Sequence, residues 1–218
     1  TSGDGITTTA ALRATGALTL TGYTATGTNG IDVGSTLAST VAGDVILSGK
    51  SGGINAAVYT TGVTLANALT VASGNLTIQG SSLVGGIATP LPGSSATGSR
   101  YGFSSAAAGD ITVSGNISLA GTSVTFLGAY LLGDVLSTDG NVALTGAGLY
   151  AMSLSAPVTA GTGANPRTLT ITTTGSNGYG LTTAAAAALS ATGSIALTAY
   201  STIGASGISI AAPIRSTL

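Results

Sequence analysis

The 218-residue sequence has no cysteine, histidine or tryptophan, and reading its rows shows no glutamate, a single lysine (Lys50) and a single methionine (Met152). Charged residues make up only 5 % of it, against roughly a quarter in an ordinary soluble domain. Each absence removes a class of function. Without Cys or His there is no zinc finger, haem or iron–sulfur ligand set and no Cys/His catalytic pair. Five cations against six anions leave no basic surface for a phosphate backbone, which excludes nucleic acid as a partner. Apolar runs are short as well. The mean hydropathy of +0.55 comes from scattered aliphatics, each broken within a few residues by Gly, Ser, Thr or Asn, so no membrane-spanning helix of about 20 residues can form. The run Ala184 to Leu189 is too short to be a helix on its own. Regularly placed Val, Ile and Leu argue against disorder, and strict Gly-X-Y is absent.

What is present is a repeat. A glycine, a small residue, two aliphatics at alternate positions and a closing Gly or Ala recur as Gly16-Ala-Leu-Thr-Leu-Thr-Gly22, Gly43-Asp-Val-Ile-Leu-Ser-Gly49 and Gly74-Asn-Leu-Thr-Ile-Gln-Gly80. The pattern returns from Gly109 to Gly115, from Gly140 to Gly146 and from Gly193 to Ala199, with a degraded copy from Thr168 to Gly175. A further copy, Gly115 to Gly121, follows directly on the fourth and reads as the next face of the same coil. Side chains alternate across a strand, so the aliphatic pairs Leu18/Leu20, Val45/Leu47, Leu76/Ile78, Ile111/Val113, Val142/Leu144 and Ile195/Leu197 face one way, while Thr19, Thr77, Thr112, Ala143 and Ala196 face the other. Gly with Asp or Asn supplies the turn that starts each strand. The pairs Val45/Leu47, Leu76/Ile78 and Ile111/Val113 are expected to share one buried column.

Between these copies lies a glycine followed by an apolar residue: Gly5-Ile6, Gly30-Ile31, Gly53-Ile54, Gly86-Ile87, Gly102-Phe103, Gly148-Leu149, Gly180-Leu181 and Gly207-Ile208, with a further unit start near Tyr130 to Leu132. A third short apolar stretch follows, as at Ala11-Leu12 or Leu37 to Val41. Each unit thus offers three short strands, and the units average about 29 residues, a solenoid period. A sandwich would have no reason to repeat one strand motif in phase. The expected fold is all-β: a parallel β-helix (β-solenoid) of about eight coils with three short strands per coil, a rod roughly 40 Å long. Residues 1–218 read as a single solenoid segment of a longer chain. Segments 81–99 and 160–176, rich in Pro, Gly and Ser, read as protruding loops.

No catalytic, cofactor-binding or metal-binding residue is assigned. Asp44, Asp110, Asp134 and Asp139 sit in Gly-rich turns, with Asp32 in Ile-Asp-Val and Asp4 near the start. Stacked coils could align Asp44 with Asp110 on one edge for calcium, but the Gly-Gly-x-Gly-x-Asp repeat is missing. Carbohydrate hydrolases and lyases need converging carboxylates or a metal, and only Arg100 or Arg167 could meet an Asp here. Tyr101, Tyr130, Tyr150, Tyr179 and Tyr200 stand beside glycines or at unit starts and are expected to stack within the solenoid; an exposed patch of them would suit a sugar or a protein. The sequons at Asn75 and Asn116 read as turn chemistry.

The motif Gly-[Asp/Asn]-[Val/Ile]-x-Leu-x-Gly followed by Gly-Ile, with Thr, Ser and Ala between, resembles the passenger regions of filamentous-haemagglutinin-like adhesins and autotransporter-type bacterial exoproteins. The resemblance runs from Gly5 to Ile214. It implies a right-handed β-helix, an extracellular or cell-surface location and a structural role in adhesion, biofilm or surface fibres, with no enzyme activity and no cofactor. The implied partners are further coils of the same chain, other copies end to end, or a host or matrix glycan or protein. A self-assembling fibre subunit, a polysaccharide-active enzyme and, last, an ice-binding Thr ladder are the competing expectations.

Overall fold

Alternating aliphatics can bury one face only if each strand finds a partner on both edges, and here the partner is the equivalent strand one coil away. The computed structural model describes residues 3–26, 28–52, 60–83, 100–202 and 206–217. Coil one is β1 (Ile6–Thr8), β2 (Leu12–Ala14) and β3 (Leu18–Thr24); coil two is β4 (Asn29–Val33), β5 (Leu37–Ser39) and β6 (Val45–Ser51). Coil three is β7 (Thr60–Leu65), β8 (Leu69–Val71) and β9 (Leu76–Ser82); coil four is β10 (Arg100–Ser105), β11 (Ile111–Val113) and β12 (Ile117–Ser123). Coil five is β13 (Leu127–Leu131), β14 (Val135–Ser137) and β15 (Val142–Gly148); coil six is β16 (Tyr150–Leu154), β17 (Val158–Ala160) and β18 (Leu169–Gly175). Coil seven is β19 (Leu181–Thr183), β20 (Leu189–Ala191) and β21 (Ile195–Ser201), and β22 (Ile208–Ile210) and β23 (Ile214–Ser216) begin an eighth. First, second and third strands stack into parallel sheets A, B and C of 8, 8 and 7 strands. The chain is a three-sided β-solenoid.

The core is a set of columns running along the rod. Sheet C contributes Leu18, Val45, Leu76, Ile117, Val142, Leu169 and Ile195 in one register. Val45, Leu47, Leu76, Ile78, Ile111 and Val113 are all buried in one apolar cluster. The shared column is corrected, however: Ile111 and Val113 belong to sheet B, between Leu69/Val71 and Val135/Ser137, and Ile117/Leu119 stand level with Leu76/Ile78. β11 alternates inside and outside as the sheet C strands do, so the Gly-Asp corner before sheet B imitates the one before sheet C. A similar slip affects Gly148-Leu149. Sheet A of coil six instead starts at Tyr150, with Met152 level with Ala129, because Gly148 closes β15. Coil five likewise starts at Leu127, ahead of Tyr130.

The closing glycine of the motif has a role that alternation does not predict. A Cβ on Gly22, Gly49, Gly80 or Gly121 would lie 2.0–2.1 Å from the carbonyl oxygen of Gly30, Gly62, Gly102 or Gly128, respectively. Conversely, a Cβ on Gly30, Gly62 or Gly102 would meet the sheet C backbone at 2.1–2.2 Å. Two glycine columns therefore bring sheets A and C into backbone contact along one edge, where any side chain would wedge them apart. Toward coil seven the need relaxes, and Ala151, Thr173 and Ala199 take these places.

Of the two expected loops, Ser81 and Ser82 belong to β9, and 84–99, like Gly53-Ile54 and Gly86-Ile87, lies outside the described residues. The second loop is confined to 161–168, since Leu169–Gly175 is strand β18, as the degraded motif copy there requires. Among the described residues no helix is long and apolar enough to cross a membrane.

Two outcomes check this packing. Replacing Leu76 by Asp places an unpaired charge in the core and should cost several kcal/mol of stability in a denaturant melt. Gly80→Ala should lower the melting temperature sharply, while Gly163→Ala, whose added Cβ meets nothing within 4 Å, leaves it nearly unchanged; equal melts would show that the glycine columns do not control sheet spacing.

Candidate functional site

The polar residues of the repeat first have to be sorted from structural chemistry. At the corner before sheet C, Asn75 donates its backbone N–H and Nδ2 to Asp44 Oδ1 at 2.8 and 3.0 Å. Asn116 does the same to Asn75 Oδ1 at 2.9 and 3.1 Å. The Asn141 N–H donates to Asn116 Oδ1 at 2.9 Å, and the Thr168 N–H and Oγ1 donate to Asn141 Oδ1 at 2.8 and 3.0 Å. Five coils are thus joined by one side-chain ladder, and the sequons at Asn75 and Asn116 are part of it. Inward-facing serines at the ends of the sheet B strands secure the same corner, with Ser39 and Ser137 hydroxyls donating to the Gly16 and Gly115 carbonyls.

The carboxylates do not converge. Asp44 starts sheet C of coil two, whereas Asp110 precedes sheet B of coil four, where its Oδ1 accepts the Asp134 N–H at 2.9 Å. The alignment of Asp44 with Asp110 on one edge is therefore corrected: they occupy different corners. Among the described residues no three metal-ligating side chains of the His, Cys, Asp and Glu types cluster. Asp139 pairs with Arg167, whose backbone N–H donates to Thr192 Oγ1 at 3.0 Å, so the 161–168 loop is folded back on the solenoid. The hydrogen bond from the Arg167 guanidinium, together with its charge, holds the Asp139 carboxyl below its ordinary value. Arg100 instead begins β10 and is buried.

Asp4 caps coil one. Burial raises its carboxyl, but hydrogen bonds from the Thr28 hydroxyl, the Asn29 N–H and Thr7 outweigh that and leave it lowered. Burial, reinforced by the charge of Asp4, raises Asp32. These are local capping contacts.

The aromatic side chains gather differently from the carboxylates. In sheet A, Tyr101 stands level with Leu127, and Leu127 with Tyr150. Tyr179 follows in coil seven, its carbonyl accepting the Ala151 N–H at 3.1 Å. Tyr130 lies in the outward column of Ser104 and Ser153. Tyr101 stacks on Tyr130 with centroids 5.4 Å apart, and Phe126 meets Tyr101 and Tyr150 edge-on, each at 5.8 Å. Stacking within the solenoid thus holds for Tyr101, Tyr130 and Tyr150. Tyr150 and Tyr179 nonetheless remain 37 % and 45 % exposed. The Tyr150 ring lies against Gly178, where a Cβ would come within 2.2 Å of it. Between these rings runs a shallow groove of about 370 Å³, lined by Phe126, Leu127, Tyr150, Met152, Ser153, Tyr179 and Thr182. Tyr200 lies apart, on the outward side of sheet C, level with Thr174. Phe126 carries no signal in the sequence; only the stacked register shows it between Tyr101 and Tyr150.

Set against protein-family models, curated proteins and solved structures, the chain matches none of them. The likeness to a β-helix passenger therefore rests on the repeat and on the parallel solenoid that the repeat forms.

The capping contacts give a titration test. A lowered carboxyl stabilises the fold above its ordinary value and loses that contribution as pH falls through the folded one; a raised carboxyl burdens the fold at neutral pH and is relieved as pH falls through its raised value. Asp4→Asn should therefore move Asp32 downward in a carboxyl NMR titration while leaving it above ordinary, because burial remains. An unmoved Asp32 would show that the two groups do not interact.

Proposed function

We propose that the chain is a structural and adhesive shaft segment of a secreted or cell-surface bacterial protein, serving adhesion, biofilm or a surface fibre. The observation that supports this best is the separation of tasks in the fold. The inward columns, glycines and corner ladder are used in stacking coils, while the outward positions carry small, nearly uncharged side chains and one aromatic groove. A rod built by repetition sets its exposed face at a distance from its root. The partners follow from the same architecture. Apolar columns are only partly covered in the first and last described coils, at Ile6, Leu12, Leu18 and Leu20 and at Ile195 and Leu197, so further coils of the same chain or other copies end to end are the natural neighbours. Open strand edges make end-to-end addition the second reading, that of a self-assembling fibre subunit.

Immunogold labelling of intact source cells checks the location: label on the outer surface is expected, and label confined to the cytoplasm overturns the proposal. A polysaccharide panel separates the shaft from a β-helix enzyme. No product should be released; release abolished by changing Asp44 or Asp110 would establish an enzyme instead.

A further inference from the structure

The aromatic row of sheet A, of which Phe126, Tyr150 and Tyr179 line the groove, is built to a period. Its rings occur on consecutive coils, with Tyr101 on coil four, Phe126 and Tyr130 on five, Tyr150 on six and Tyr179 on seven. The ring ladder thus advances along the rod by one coil, about 4.8 Å, at each step. Beside it runs a column of hydroxyls, Ser104, Tyr130, Ser153 and Thr182. No charged side chain lines the groove.

These features select a ligand by its chemistry. An anionic polymer would find no cation in the groove, and a basic peptide no carboxylate. An ordinary protein surface, about a quarter charged, would be left with unpaired charges against it. A neutral sugar chain meets each requirement. A pyranose whose hydroxyls are all equatorial presents axial C–H bonds on both faces, which lie against the electron-rich face of a tyrosine ring, and its hydroxyls project sideways toward polar partners. In an extended β-1,4-linked chain, successive sugars are spaced on the scale of the coil rise of about 4.8 Å. One sugar can therefore face each ring of the ladder, with its edge toward Ser153 and Thr182. The groove volume of about 370 Å³ falls in the range of ligand sites. Tyr150 is also held in place beforehand, packed edge-on by Phe126 and against Gly178, so little ordering of that ring is needed on binding.

We infer that the sheet A groove binds an uncharged, extended β-1,4-linked glycan lying along the solenoid axis, with Tyr150 and Tyr179 as its stacking platform. This rests on the adhesive part of the proposed function and names its ligand class.

The test is calorimetric titration of the full chain with cellohexaose and with chitohexaose, with an oligogalacturonate of equal length as the charged comparison. Saturable binding of a neutral oligomer is expected, with little or none of the galacturonate. Tyr179→Ala should weaken it about tenfold, and Tyr179→Phe, which keeps the stacking face, should retain most of it. Tyr200→Ala, on another face, should leave it unchanged. Tyr150 also packs against neighbours, so Tyr150→Ala is read beside its thermal melt, and Tyr179 carries the decision. No saturable binding of either neutral oligomer, equal loss in Tyr200→Ala, or tighter binding of galacturonate overturns the inference. Surface label on cells together with absent oligosaccharide binding would discard the glycan and keep the shaft; cytoplasmic label would discard the shaft whatever the titration shows.

Discussion

Register between coils is the constraint on which everything else depends. A parallel strand pair hydrogen-bonds evenly along its length, so once one residue of a coil lies over its counterpart, the whole strand must follow. Ile31 lies over Ile6, Val63 over Ile31 and Phe103 over Val63, although the lengths of chain between these positions differ. Variation in coil length is absorbed at the corners, and the strands remain in phase. The core is continuous because no coil has a choice of register: a slip of one residue would turn every aliphatic outward.

The same constraint accounts for the unusual composition. Each outward position is repeated about 4.8 Å away in the neighbouring coil, so a charge placed there meets its copy unless the sequence changes. Small hydroxylated residues avoid the repulsion and still satisfy local hydrogen bonds. Several charges near corners have dedicated partners, as with Asp139 and Arg167 or Asp4 and its donors Thr28 and Asn29.

The architecture was largely legible in the sequence, because alternation, the Gly-Asp/Asn corners and a regular period are all local signals. Two assignments were not. Ile111/Val113 and Ile117/Leu119 carry the same alternation and are each followed by a glycine, Gly115 and Gly121; only the continuation of the strand through Gly121, level with Gly80, tells them apart. The role of that glycine depends on the backbone of another sheet, which no local pattern contains. The aromatic groove was hidden for a related reason. Tyr101, Phe126, Tyr130, Tyr150 and Tyr179 are irregularly spaced along the chain and become neighbours only when coils of unequal length are stacked. Candidate acids could be found by residue type, but their dispersal among different corners could not.

The corner ladder also has a direction. In every link the amide or hydroxyl of the later coil donates to the oxygen of the earlier one, from Thr168 back to Asp44. The Asn75 and Asn116 side-chain dipoles are therefore aligned, positive ends toward coil two, and each bond polarises the next. The series ends on a carboxylate at its positive end, the same pairing of anion and dipole that an aspartate makes at the start of an α-helix. The solenoid thus carries an electrical polarity along one corner, and the coil-two and coil-six ends of the ladder differ in field.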